Sequence, residues 1–181
     1  MVRAWVAALT IAVLAGSTPG VAARADTLIA VLPLAPASTG QPYSPLPTPN
    51  DLQELTGQLR TGFVEGGVRV IPLPRVAQAV ASHGFAQSTL ERSCAEPECA
   101  QVVGRAAGAK AVAFGRVTRL MALIWSTQVT VVDVHTGKQI AALQGGYKGG
   151  PTEMSAGETE IGLCLARVLT GKRRCNYDRG F

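Results

Sequence analysis

The four cysteines are the residues best equipped for chemistry in this 181-residue chain, and they fall into two spaced pairs. Cys94 and Cys99 are separated by four residues, one of which is Pro97. Redox-active dithiols normally show a two-residue gap at a helix start, so this spacing argues against thiol exchange. A structural zinc site needs four ligands, and only His83 and His135 could add imidazoles to the pair. In an oxidising compartment, where an even cysteine count usually means bridges, the expectation is a Cys94–Cys99 disulfide. Closing so small a ring stabilises by roughly 2 kcal/mol in the chain-entropy model, and it would fix how a loop enters the next helix. Cys164 and Cys175 have ten residues between them. A bridge there would fold the tail back onto a helix end; without one, Cys164 is a buried thiol beside an apolar stripe. The residues leave both readings open.

Other groups lose their chemistry when spacing is considered. The run from Gly104 to Lys110, GRAAGAK, looks like a phosphate loop but lacks the four-residue gap and the Lys-Ser/Thr ending. It also sits at a helix C-terminus, where the dipole repels phosphate. Glu158 and Glu160 could be paired carboxylates, yet Ser155 and Glu158 have capping-box spacing, which places both acids in a first helical turn where the dipole favours them. Asp133 with His135 lies at a strand end, and Ser82 with His83 at a helix end. Neither pair supplies the nucleophile, base and orienting group of a hydrolase. No catalytic residue, metal ligand or cofactor is assigned, and the expectation is a non-enzymatic protein.

The elements that must position these residues begin after an N-terminal signal. Val2-Arg3 gives a positive start, Ala4 to Ala15 is apolar, and Ala23-Arg24-Ala25 has the small-x-small form that signal peptidase accepts. Residues 1–25 are read as a cleavable signal peptide, leaving Asp26 first. The apolar run is well short of the roughly 20 residues of a spanning helix, and no nearby cysteine offers a lipid attachment point. Losing Arg3 and Arg24, two of 17 basic residues against 12 acidic ones, lowers the formal charge from +5 to +3. That is too mild to argue for nucleic acid. The mature chain is expected to be soluble and periplasmic, without stable membrane insertion.

Thr27 to Leu34 reads as a strand buried on both faces, and the proline-rich segment from Ala35 to Pro49 as a long surface loop. Asp51 to Glu65 carries Leu52, Leu55, Leu59 and Phe63 at helical spacing, with Asp51 and Glu54 as a capping box. Val68 to Pro72 is a short strand and Pro74 to His83 a helix stopped by Gly84, so the first half is a parallel crossover. A helix from Pro97 ends at Gly108. Ala109 to Leu120, Ala122 to Val134 and Gln139 to Gln144 then read as an antiparallel meander, followed by a loop over Gly145 to Pro151 and a helix with Ile161, Leu165, Val168 and Leu169 on one face. The predicted architecture is one α/β (α+β) domain over residues 26–170: a mixed sheet of about five strands, a βαβ half followed by a meander, packed by about four helices. A basic tail occupies residues 171–181, and Lys172-Arg173-Arg174 in it reads as a solvated run that complements a helix C-terminus.

On these residues the chain resembles a known family. IAVLPL, LQELTGQLRTGF followed by VRVIP, the cysteines before VVGRAAGAKAVAFGRV, the strand VTVVDVHTGKQ and the final capped helix look like small periplasmic proteins of the DUF2380 type. That group is similar to the N-terminal domain of TolB and to CsgG-like proteins. The resemblance implies a sheet-and-helix fold in the bacterial envelope and no catalytic residues to carry over. The Gly145–Met154 segment departs from the family's usual ending.

In the strand Ala122 to Val134, Val129 and Val131 alternate with Gln128 and Thr130, so one face of the sheet should be wet. Arg116, Thr118, Gln128 and Thr130 on that face, with the proline-rich loop, are the expected contact surface for an envelope protein partner. The alternative is a small-ligand or solute-binding accessory protein that uses the glycine-rich loop at Gly145 to Pro151.

Overall fold

Residue by residue, the opening apolar run alternates between two cores. β1 (Leu28–Val31) sends Ile29 and Val31 to one and Ala30 to the other, and all three are fully buried. The computed structural model describes residues 27–40, 44–84 and 94–172. The expected signal peptide, Cys175 and nearly all of the basic tail lie outside the described residues.

The expected strand to Leu34 is cut at Pro33, which has no N–H to give the ladder. The chain resumes as β2 (Ala35–Ala37). Both pieces run parallel to β4 (Ala111–Met121), with Val31 opposite Ala113 and Ala35 opposite Arg116, so β1–β2 carries one extra residue in between. The Leu34 N–H turns aside and donates to Thr56 Oγ1 at 3.0 Å. Residues 35–37 are thus strand, a correction to the expected loop. Pro36 fits there because the described residues pair with β2 on the β4 side alone.

Helix α1 (Pro49–Glu65) starts from a different cap than its sequence suggests. Thr48 is the N-cap: its hydroxyl accepts from the Asp51 N–H, and the Asp51 carboxylate accepts from the Thr48 N–H at 2.8 Å. Pro49 fills the first helical position, which needs no N–H. The box is therefore Thr48/Asp51, not Asp51/Glu54, and Glu54 is released to meet Ser155 Oγ at 2.7 Å. β3 (Arg69–Val70) then pairs parallel with β1, which completes the crossover. α2 (Leu73–Ser82) and α3 (Pro97–Ala107) follow, the latter closed by Gly108 at φ +77°, a left-handed C-cap.

β4, β5 (Ile124–Asp133) and β6 (Gln139–Lys148) form the meander, and α4 (Pro151–Leu169) ends the fold. The sheet runs β3-β1-β4-β5-β6 with β2 beside β4, six strands among the described residues and not closed into a barrel. The count exceeds the expected five because Pro33 divides the first strand. α1 and α4 cover one face over a core that includes Ile29, Val31, Leu59, Phe63, Val129 and Ile161. α2 and α3 cover part of the other, over Ala30, Leu32, Val76, Val103, Val112 and Val132. Two corrections concern the end of the chain. Gly145 and Gly146 belong to β6 rather than to a loop, so the glycine-rich ligand loop is reduced to a turn at Gly149-Gly150. The α4 cap is Gly150 with Glu153, whose carboxylate accepts from the Gly150 N–H at 2.9 Å. Ser155 and Glu158 are therefore not its capping box.

Candidate interaction face and a buried carboxyl

Because α2 and α3 reach only part of their face, the outward residues of the meander beyond Phe114 are left open. Antiparallel register puts Arg116 opposite Gln128 and Gln128 opposite Gln144, while Thr130 lies opposite Phe114 and Ala142. Arg116, Gln128 and Thr130 line one shallow hollow of about 320 Å³ with Glu96, Phe114 and Gln139. Thr118 shares this face one pair further along, opposite Ser126, and does not line the hollow.

The rim of the hollow depends on the cysteine clasp. Cys94 and Cys99 form a disulfide, with Cα atoms 5.3 Å apart, and Pro97 occupies the first turn of α3. The ring holds Glu96 at the helix N-cap, where its carboxylate accepts an ion-paired hydrogen bond from Arg116. Both side chains are about half exposed, 49% for Arg116 and 62% for Glu96, so the pair orients the guanidinium more than it stabilises the fold. Glu96, Phe114 and Gln139 were not singled out in the sequence. Gln139 could have been found from the hairpin register; Glu96 could not, because its place depends on a non-local contact.

The remaining sequence candidates hold structural positions. Asp133 Oδ1 accepts from the N–H groups of His135 and Thr136 at 3.0 and 2.7 Å, an Asx turn at the strand end. His83 Nδ1 lies 2.9 Å from the Ala79 carbonyl at the end of α2. Gly104–Lys110 runs from the last turn of α3 to the residue before β4, at a helix C-terminus as expected. Cys164 is buried and disulfide-bonded; Cys175 lies outside the described residues. Among the described residues no group of three or more His, Cys, Asp or Glu could hold a metal ion.

The unexpected group is Glu158. Instead of capping α4 it lies one helical turn deeper, fully buried against the sheet. The Tyr147 hydroxyl donates to its carboxylate, and Thr127 Oγ1 is hydrogen-bonded to the same hydroxyl. Among the described residues Oε1 has no hydrogen-bond partner. Burial pushes the Glu158 pKa up to about 7, while the hydrogen bonds from Tyr147 and Thr127 pull the other way. Gly157 makes room for the arrangement, since a Cβ there would enter the Tyr147 ring.

With this geometry in place, comparison with known proteins identifies the family. The family model DUF3280, described as a protein of unknown function (DUF2380), matches residues 28–155, from β1 into the start of α4. The chain belongs to this family. No curated protein matches it. Among solved structures, the LpoB C-terminal domain from Salmonella enterica shares 18% identity at a TM-score of 0.52, over 72% of this chain and 87% of its own. Lipoprotein GNA1162 from Neisseria meningitidis shares 20% identity at a TM-score of 0.52, over 70% of this chain and 83% of its own. TolB from Acinetobacter baumannii matches at a TM-score of 0.42 and 13% identity, over 81% of this chain and 29% of its own, too loosely to carry weight. At these identities the likeness speaks to the fold alone. The DUF2380 chain thus shares its sheet-and-helix fold with a domain of LpoB and with a lipoprotein.

Proposed function

We propose that this DUF2380 protein is an exported, non-enzymatic interaction module of the bacterial envelope, periplasmic after removal of residues 1–25. Its open meander face binds an envelope protein. The observation that carries this reading is the hollow lined by Glu96, Phe114, Arg116, Gln128, Thr130 and Gln139 on a sheet face that the helices leave uncovered. Its make-up, one aromatic floor residue, neutral hydrogen-bonding side chains and a rim ion pair, suits a polar protein contact. The Cys94–Cys99 disulfide supports an oxidising compartment, and the occurrence of the fold in a lipoprotein supports the envelope. The ligand-binding alternative loses its support, since Gly145 and Gly146 are part of a strand.

The test is capture from envelope extract by the wild type and by Arg116→Glu and Thr130→Lys. A partner recovered by the wild type should be lost at least about tenfold by the variants, as expected when a central charged contact is reversed. Thermal unfolding should stay unchanged, because both positions face outward. Equal recovery by folded variants would place the contact elsewhere.

A further inference from the structure

The β4–β5 hairpin turns on residues poorly suited to a turn in water. Ala122 and Leu123 carry the chain across between the paired Met121 and Ile124, where Asn, Asp or Gly is the usual chemistry. Met121 is 63% exposed, Leu123 56% and Leu120 39%. These apolar side chains are not a by-product of a poorly formed loop, because the backbone around them is fixed. Gly149 donates its N–H to the Leu123 carbonyl at 2.9 Å, the Ser44 hydroxyl donates to the Leu120 carbonyl at 2.7 Å, and the Arg119 guanidinium donates to the Ala122 carbonyl at 3.1 Å. β2 accompanies β4 only to Thr118, so the last rungs of the hairpin extend past that strand.

Cations flank this apolar cap. Arg119 lies with its guanidinium carbon 4.8 Å from the ring centroid of the buried Trp125, directly below the tip. Lys148 is exposed at the end of β6, opposite Ile124. Among the described residues neither cation takes part in an ion pair. The neighbouring acid, Glu153, is engaged with the Gly150 N–H.

We propose that this hairpin tip is a peripheral membrane contact. Leu120, Met121 and Leu123 enter the boundary between headgroups and acyl chains of an anionic bilayer, and Arg119 and Lys148 meet the lipid phosphates. Charge complementarity selects the occupant: an apolar cap beside two cations without acidic partners matches an anionic lipid surface. Three side chains give reversible attachment, and no described helix is long and apolar enough to cross a membrane. The contact is separate from the protein-binding face, whose hollow lies further back along β4 and β5.

The test is co-sedimentation with vesicles of phosphatidylglycerol and phosphatidylcholine, against phosphatidylcholine alone. The protein is recovered after export, with its N-terminus read by mass spectrometry. All variants are compared in the same processed form, so any N-terminal contribution is common to them. Wild type should partition to the anionic vesicles at least about tenfold more than Met121→Ser/Leu123→Ser. Lys148→Glu should lower binding to anionic vesicles only. Unfolding curves should superimpose, since these side chains are exposed. No vesicle binding by the wild type, or equal binding by the double variant, overturns the proposal. So does a tip substitution that turns an oligomer into a monomer without changing vesicle binding, because the tip would then be a contact between copies.

Discussion

Glu158 sits where ionisation is unfavourable: fully buried, one oxygen held by Tyr147 and the other without a partner among the described residues. In the unfolded chain it ionises near the usual 4.5, and in the folded chain burial pushes this up to about 7. Between those values the folded state holds a proton that the unfolded state has released, so stability falls as pH rises from about 4.5 through about 7 and levels off above. Glu158→Gln mimics the protonated group. It should match wild type at low pH and exceed it by roughly 3 kcal/mol well above pH 7, a gap that denaturant melts at a series of pH values would measure. If wild type and variant show parallel pH profiles, Glu158 is not buried as described. The sequence points to Glu158 but not to its burial. Ser155/Glu158 and Gly150/Glu153 have the same three-residue spacing, and only the true start of α4 shows which pair caps it. The cysteine pair was legible because the two residues are close in sequence, so local spacing settled the chemistry.

The elements depend on how closely they approach one another. α1 and α4 cross where Gly62 and Gly162 face each other's backbones: a Cβ on Gly62 would run into the Thr159 carbonyl, and one on Gly162 into the Leu59 carbonyl. The hydroxyl of Thr159 reaches Gln58 Oε1 at 3.1 Å across the same crossing. Gly57, five positions earlier on α1, is exposed with open space around it. The same substitution should therefore act with opposite signs on one helix. Gly62→Ala should destabilise by about 1–3 kcal/mol through overpacking, whereas Gly57→Ala should stabilise by up to about 1 kcal/mol through helix propensity. Chemical denaturation of the two variants checks both. Most elements were legible from apolar period and stop signals, including α3 with its Gly108 stop and the three strands of the meander. The misreadings came at prolines and glycines whose effect depends on neighbours. Pro36 is tolerated in β2 because the strand is paired on one side, and Gly145 is tolerated in β6 within a sheet that α4 covers. Reducing the Cys94–Cys99 bridge, or replacing both residues by Ser, should cost roughly 2 kcal/mol. It should also release Glu96 from Arg116, which would weaken partner capture without unfolding the domain.

At the scale of the whole molecule, a half-covered sheet accounts for how this chain divides its surfaces. The β1–α1–β3 crossover and α4 build one complete core, while α2 and α3 seal only the part of the opposite face nearest β1. The meander is longer than the helices that cover it, so its outward residues are left for contacts and its far hairpin carries exposed apolar side chains. Hydropathy patterning conveyed this division in outline: Val129 and Val131 alternate with Gln128 and Thr130, which marks a strand wet on one side. It could not show that a loop before α3 supplies the rim, because such a contact between distant residues leaves no local signal. The compartment links these surfaces to the cysteines. Export, as proposed above, would bring the chain to oxidants, and Cys164 on α4 is disulfide-bonded. Cys175 is the one cysteine of the sequence not yet accounted for, and we propose it as the partner of Cys164, a bridge that would tie the basic tail to α4. The mature protein should then begin at Asp26, and alkylation of the denatured, unreduced protein should add no mass, while prior reduction should expose all four thiols. A bridge between Cys164 and Cys175 encloses about as many residues as a short loop, so its loss should destabilise by roughly 3 kcal/mol. A reactive thiol in the unreduced protein would break this scheme, and an N-terminus upstream of residue 26 would overturn the proposed cleavage after Ala25.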